Sequence, residues 1–295
     1  MNKSSSFTKT KLSTYTGLPN PILAIFAHYS NAIYLRMKKS VQNLKVVSNQ
    51  RLNKDHALLE LKSEVLLEGI LPGQFANILV DKSQNVFLRR PFSIFQVDYK
   101  CNSIFILIKG IGEGTRTLSK SLVGDTLSVI FPLGRGYSFP TKKSKVLLVG
   151  GGVGIATLML LATMLKQDNH QIEILLGARS GEDLVELENF AEYGTIHTTT
   201  EDGSHGTKGF VTNHALFGDE FKSFDKIYTC GPEPMMKAVA RLAHQNEIDC
   251  EVSLENTMAC GYGVCLCCVT ETTGGYRCVC TDGPVFDIKQ LKWQN

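Results

Sequence analysis

The sequence predicts a multidomain β plus α/β fold: an antiparallel β-barrel, a parallel α/β domain and a small Cys-rich C-terminal domain. Three observations predict it. Short apolar runs broken by Gly and Asp fill the stretch from about 41 to 143, the pattern of a small barrel. From residue 145 strand, turn and helix signals alternate, as in a parallel sheet with crossover helices. Six of the nine Cys then fall in the last 36 residues.

Residues 1–40 read as an appendage, rich in Ser, Thr and Lys and free of acid. A targeting segment, a disordered tail and a start site set too early, with Met37 as the true start, all fit this composition. Residues 41–143 hold the strand signals Val46-Val47, Ala57 to Leu61, Phe75 to Val80, Ile104 to Ile108 and Leu127 to Phe131. Turns such as Leu71-Pro72-Gly73 and Gly124-Asp125 separate them. Residues 144–249 open with the continuous apolar run Lys145 to Val149, as a buried parallel strand requires. A Gly-rich turn and a helix-compatible segment, Ile155 to Leu165, follow. Ile172 to Leu176 and Lys226 to Thr229 read as further strands, and Glu233 to Gln245 as a helix. Residues 250–295 form the Cys-rich domain.

Composition excludes several classes. Hydrophobic residues are 43% and charged residues 20% of the 295, so the chain is globular rather than disordered or fibrous. No run of about 18 apolar residues is present, so a membrane span is not expected. Net charge is +3, but nine basic residues precede the first acid, Asp55, leaving 22 basic against 28 acidic residues in the rest. The body is mildly acidic, so no nucleic-acid surface is expected. An odd Cys count, tight clustering and no signal peptide argue for a metal site in a reducing, cytoplasmic setting rather than a disulfide scaffold.

The strongest motif is Cys260-Gly261-Tyr262-Gly263-Val264-Cys265-Leu266-Cys267-Cys268. Cys260, Cys265 and Cys268 give C-x4-C-x2-C with a further Cys downstream, the plant-type spacing for a [2Fe–2S] cluster. Three thiolates must converge from one loop, and Gly261 and Gly263 allow the left-handed backbone and close approach this needs. The fourth ligand is Cys280 or Cys278, with Cys280 favoured because Asp282-Gly283-Pro284 fixes the turn beside it. Cys267 is expected to point away and pack. A zinc site is the rival reading, but structural zinc prefers separated Cys pairs.

Three weaker signals accompany the Cys loop. Gly150 to Gly154 lies between strand and helix, where backbone amides can hold a pyrophosphate; the standard G-x-G-x-x-G fingerprint is not met. Arg89-Arg90-Pro91-Phe92-Ser93 ends an apolar run, and an Arg fork suits phosphate, although on residue types alone an exposed basic turn is the better reading. Gly112-Glu113-Gly114-Thr115 is a possible second phosphate turn or an ordinary hairpin.

In this order the pieces resemble the ferredoxin–NADP reductase superfamily. With a C-terminal cluster module they resemble, from about residue 42 to the end, the electron-transfer subunits of class 1B dihydroorotate dehydrogenases. The resemblance rests on Arg90 to Ser93, Gly112 to Thr115, Val149 to Gly154, Thr199 to Ser204, Cys230-Gly231-Pro232 with Met235-Met236, Met258 to Gly261, and Cys280 to Phe286. It implies an oxidoreductase flavoprotein with FAD on the barrel: Arg90 at the pyrophosphate, Pro91, Phe92 and Ser93 by the ring, Leu107, Ile108 and Lys109 alongside, and Gly114 and Thr115 at phosphate. It implies NAD(H) on the α/β domain at Gly151, Gly152 and Gly154, its nicotinamide near Cys230, Gly231 and Pro232. Cys260, Cys265, Cys268 and Cys280 then hold the [2Fe–2S] cluster.

The implied partner is an FMN-containing catalytic subunit oxidising dihydroorotate to orotate in pyrimidine biosynthesis, in a heterotetramer of two plus two. No residue of this chain is expected to be catalytic, because electron transport needs position and electrostatics rather than a strong acid or base. Glu255, Arg179 and the His residues read as surface or packing groups. A diaphorase subunit of a sulfhydrogenase- or sulfite-reductase-like complex is the alternative enzyme, and an iron–sulfur binding module with vestigial nucleotide sites is the non-enzymatic one.

Overall fold

The computed structural model describes residues 38–293; the readings of residues 1–40 as a targeting, disordered or mis-set segment lie, but for the last three, outside the described residues. Seven antiparallel strands form the first sheet: β1 (Ser40–Arg51), β2 (His56–Lys62), β3 (Phe75–Ile78), β4 (Arg90–Ser93), β5 (Gln96–Asp98), β6 (Ser103–Lys109) and β7 (Thr126–Leu133). Their order is β4-β3-β7-β1-β2-β6-β5. The sheet curls into a half-barrel around Leu44, Leu59, Leu61, Ile78, Ile104 and Phe131. A short helix, α1 (Glu113–Leu118), connects β6 to β7.

The second sheet takes β8 (Lys145–Gly151), β9 (Gln171–Ala178), β10 (Thr195–Thr200), β11 (Thr207–Lys208), β12 (Lys226–Cys230) and β13 (Asp249–Ser253), all parallel, with helices α2 (Met159–Gln167), α3 (Leu187–Ala191) and α4 (Glu233–Gln245). The helix predicted from Ile155 instead starts at Met159. Residues Gly152–Thr157 form a tighter 3₁₀ turn first, a common device at a helix N-terminus.

A hairpin of β14 (Val269–Thr272) and β15 (Gly275–Cys278) follows the Cys loop. The last strand, β16 (Val285–Asp287), then pairs antiparallel with β13. The Cys-rich segment is thereby stitched into the nucleotide-type sheet, whose order is β11-β10-β9-β8-β12-β13-β16. One buried apolar cluster joins all three parts: Phe75 and Leu133 from the half-barrel, Val149 and Val252 from the parallel sheet, and Met258, Cys268, Val279 and Cys280 from the Cys-rich segment. No helix among the described residues is long and apolar enough to cross a membrane.

Candidate functional site

The parallel sheet reverses its strand order between β8 and β12, and in such sheets ligands bind in the crevice at this switch point. Gly150 pairs with Cys230 there, so both turns open into one crevice. The glycines serve different needs. A Cβ on Gly154 would lie 2.6 Å from the Cys230 carbonyl oxygen and the Gly231 nitrogen. One on Gly151 would lie 2.5 Å from Met235 Sδ and 2.8 Å from Pro232 Cδ. Gly152 has φ +54° and nothing within 4 Å of its Cβ position, so it serves conformation and leaves a free approach to the backbone.

Cys230 is buried, and burial pushes its thiol well up; the Glu255 charge adds to this while Ser253 and the Gly231 amide oppose it. Protein packed around the Glu255 carboxyl raises it above its ordinary value. Nothing local in the sequence marks Glu255; only the return of β13 beside β12 brings it to Cys230. Tyr137, also unnoticed in the sequence, packs its ring edge-on to Tyr228 at 5.4 Å, with its hydroxyl toward Thr157 and Ser253.

On the half-barrel, Arg90, Pro91, Phe92 and Ser93 make up β4, all half-buried. Arg89 is turned inward: Nη1 donates to the Ser128 carbonyl at 2.6 Å and Nη2 to Ser128 Oγ at 2.9 Å. Arg90 lies against α1, where a Cβ on Gly114 would be 3.1 Å from its Nε. The two turns predicted to meet phosphate are therefore adjacent. The Thr115 hydroxyl accepts from the Gly112 amide at 3.0 Å and donates to the Gly112 carbonyl at 3.1 Å, so it caps its own turn. Leu107 and Ile108 on β6 are fully buried opposite Leu58 and Ala57. Lys109 Nζ pairs with Asp183 Oδ1 at 3.2 Å, reaching the parallel-sheet domain.

In the Cys loop Gly261, Gly263 and Leu266 have φ of 75°, 80° and 56°. This winding aims backbone amides at sulfur. Tyr262 N–H donates to Cys260 Sγ at 3.3 Å, Gly263 N–H to Cys280 Sγ at 3.1 Å and Cys280 N–H to Cys268 Sγ at 3.4 Å. The thiols fall into two pairs, Cys260 with Cys265 and Cys268 with Cys280. The β14–β15 hairpin closes the short interval between the last two by setting Val269 opposite Cys278. Burial pushes the Cys260 thiol up, but the amides of Cys265, Tyr262 and Val264 outweigh it and bring it down to about 6.

Among the described residues no group of three or more His, Cys, Asp or Glu is gathered tightly enough for a single ion. Two pairs of thiols are what a two-iron cluster takes, since each iron needs two. Cys278 is half-buried, and its amide donates to Asp282 Oδ2 at 2.9 Å. Cys267, expected to pack, is exposed.

The residues present fit the three groups: a cradle at Arg90 and Gly114, an open turn at the switch point, and paired thiols under amides. Together they define a ferredoxin-reductase-type flavin and NAD oxidoreductase with an appended iron–sulfur module. Residues 255–292 match the iron-sulfur cluster binding domain of dihydroorotate dehydrogenase B, and residues 148–241 the oxidoreductase NAD-binding domain. The chain is 36% identical over 263 residues to the dihydroorotate dehydrogenase B (NAD(+)) electron transfer subunit of Shouchella clausii, covering 86% of this chain and 99% of that one. It is 37% identical to the Fusobacterium nucleatum subunit of the same name, over 83% and 96% of the two chains.

Among solved structures, one of an NADH-dependent reduced ferredoxin-NADP oxidoreductase aligns with a TM-score of 0.76 and 31% identity over 85% of this chain and 90% of that one. A ferredoxin reductase of carbazole 1,9a-dioxygenase, 21% identical over 72% and 67% of the two chains, shares the fold with a TM-score of 0.63. The chain belongs to the dihydroorotate dehydrogenase B (NAD(+)) electron transfer subunit family.

Proposed function

We propose that this chain carries electrons between NAD and a catalytic subunit that holds FMN and oxidises dihydroorotate to orotate, through a [2Fe–2S] cluster and FAD. The observation that carries the reading is the shared buried cluster, in which Phe75 and Leu133 of the flavin-type sheet pack with Val149 of the nucleotide sheet and with Cys268 and Cys280. Three sites held by one core can pass electrons without a domain rearrangement. The relatives' names support this partner over a sulfhydrogenase- or sulfite-reductase-like complex. The assembly is a heterotetramer of two subunits of each kind, working in the cytoplasm on pyrimidine biosynthesis.

When bound, FAD would supply two-electron exchange with NAD and one-electron exchange with the cluster. The chain's own residues supply position and charge. Arg90, resting on Gly114, neutralises the FAD pyrophosphate, and the turn around Thr115 lies beside it. Pro91, Phe92 and Ser93 would line the ring, with Leu107, Ile108 and Lys109 of β6 alongside. Gly151, Gly152 and Gly154 bring amides to the NAD phosphates. Cys230, kept as a neutral thiol by burial, offers the nicotinamide an uncharged wall between Gly231, Pro232 and Glu255. Glu182 and Asp183 after β9 stand beside Ser180, each paired with a lysine, Lys54 at 3.7 Å and Lys109 at 3.2 Å. Cys260, Cys265, Cys268 and Cys280 ligate the cluster.

The experiment is a visible spectrum of anaerobically purified protein, then an NADH titration. Flavin bands and a cluster envelope, both bleached by NADH, support the reading. A colourless protein with stoichiometric zinc overturns it.

A further inference from the structure

Asn77 lies in the middle of β3, where the register sets it opposite Pro91 of the flavin strand. It is fully buried, and its strand neighbours Phe75, Ala76 and Ile78 are buried and apolar. A four-residue strand buried throughout calls for apolar side chains. Asn77 instead places a carboxamide against the Cys loop: Nδ2 donates to the Ala259 carbonyl at 3.4 Å, and a Cβ on Gly261 would lie 3.2 Å from the same nitrogen. Ala259 and Gly261 flank Cys260, so one side chain lies across the backbone on both sides of the first thiol. Its Oδ1 is buried with no hydrogen-bond partner, and a buried unsatisfied polar atom costs about 1–3 kcal/mol. Packing alone does not explain a polar group kept at such a cost.

The surroundings hold this contact in place. Arg89 Nη1 donates to the Asn77 carbonyl at 3.4 Å and to the Ser128 carbonyl at 2.6 Å, fixing β3 against β7. Gly261 has φ +75°, and its Cβ position also lies 3.1 Å from Leu133 Cδ1. Any side chain there would push the loop off the half-barrel. Between the backbone of β4 and that of Cys260 there is thus a single paired strand and one carboxamide.

We propose that Asn77 is the positioning residue that seats the iron–sulfur loop on the flavin strand and so sets the gap the electron crosses. This rests on the function proposed above. In the step concerned one electron leaves the flavin and one enters the cluster; no bond forms or breaks, and Asn77 exchanges no proton. Its contribution is to hold the Cys260 end of the loop in one register, because electron transfer between fixed centres depends on their separation.

The test uses the flavin- and cluster-loaded protein and Asn77→Leu, which keeps the volume and removes the polar atoms. Three readouts are taken: flavin bleaching by NADH in stopped flow, cluster reduction in the same traces, and the electron paramagnetic resonance spectrum of the dithionite-reduced cluster. The expected result is flavin bleaching within twofold of wild type, cluster reduction at least tenfold slower, and shifted g-values. Asn77→Thr, which suits a strand but is too short to reach Ala259, should move both cluster readouts the same way, and loss of cluster with flavin retained in either variant also supports the seat. Unchanged cluster reduction and g-values in Asn77→Leu overturn the inference, as does loss of flavin together with cluster, which would make Asn77 a support of the half-barrel itself. Wild-type protein lacking flavin or cluster overturns the proposed function and this inference with it.

Discussion

Gly154→Ala tests whether the two turns at the switch point are locked together. The added methyl would meet the Cys230 carbonyl oxygen and Gly231 nitrogen at 2.6 Å and the Cys230 carbonyl carbon at 2.7 Å. Ordinary contact begins at 3.4 Å, so one turn must retreat by about 0.8 Å. All three atoms are backbone and cannot rotate away. The two turns are close-packed, since the Cβ position on Gly231 is already 2.9 Å from the Gly151 backbone. Overpacking by a methyl costs about 1–3 kcal/mol, and the absence of a side chain that can yield puts this case near about 3 kcal/mol. At about 2–4 °C per kcal/mol for a protein of this size class, the thermal midpoint falls by about 6–12 °C. A shift near 1 Å at a ligand site can cost about 100-fold, so NADH binding should weaken at least about tenfold. Gly152→Ala is the control. It meets nothing within 4 Å and has only φ +54° to resist, about 1–2 kcal/mol. Thermal melts followed by near-ultraviolet circular dichroism and NADH titrations of both variants decide the matter. Gly154→Ala melting no lower than Gly152→Ala, or binding NADH as tightly as wild type, would refute the locked-turn argument.

Three further outcomes follow from the same geometry. Cys280→Ser should abolish the cluster absorbance while Cys278→Ser retains it, because the Gly263 amide and the Cys268 thiol meet Cys280; iron and sulfide analysis of both proteins checks this. Stability should fall as pH drops below about 6.5. Burial first, and Lys109 second, hold folded His56 below its ordinary value against the opposing charges of Asp183 and Asp55, so the unfolded chain takes up that proton first. Denaturant melts across pH 5–8 should show a shallower acid-side slope in His56→Leu. Glu251→Ala should destabilise by about 3 kcal/mol, since Lys226 is only 13% exposed and would lose its carboxylate at 3.2 Å, keeping only the Ser138 hydroxyl as acceptor; urea unfolding of Glu251→Ala beside the Lys226→Met, Glu251→Leu double variant should show the pair-wise recovery.

What the sequence disclosed, and what it hid, divides along physical lines. Local signals were legible. The period of the apolar runs placed β1, β2, β6, β7, β8, β9 and β12, and α4 matches the predicted helix at both ends. The spacing of Cys260, Cys265 and Cys268 singled out the loop that the structure winds under amide donors. Signals made only by topology were not legible. β10 reads Thr-Ile-His-Thr-Thr-Thr, too polar to pass for a buried strand until β9 and β11 cover both its edges. Glu255 looks like a surface acid until β13 lies beside β12. The ion pair of Lys109 with Asp183 joins residues 74 apart in the chain, so no local pattern signals it. Arg89 and Arg90 are alike in residue type, and only the fold shows that Arg89 turns inward to Ser128 while Arg90 lies against Gly114.

The route of the last 14 described residues explains why a cluster loop of only nine residues is enough. After Cys280 the chain turns at Asp282-Gly283-Pro284 and enters the parallel sheet as β16. On the way it touches the half-barrel: the Arg135 amide donates to the Gly283 carbonyl at 2.5 Å, and a Cβ on Gly134 would lie 2.5 Å from Pro284 Cδ. Ser138 reaches Glu251 of β13 from the same linker, its amide donating at 3.0 Å. The linker between the two sheets, the end of the Cys segment and the sheet edge are thus one joint. The loop that precedes this joint is anchored at its far end by Asn77 and Leu133 and at its near end by β16. A segment fixed at both ends needs no core of its own, which is why the hairpin β14–β15 can stay two-stranded and largely exposed where an isolated hairpin would be marginal. A cut between residues 249 and 250 would therefore not release a folded cluster domain: it would strip β13 and β16 from the parallel sheet together.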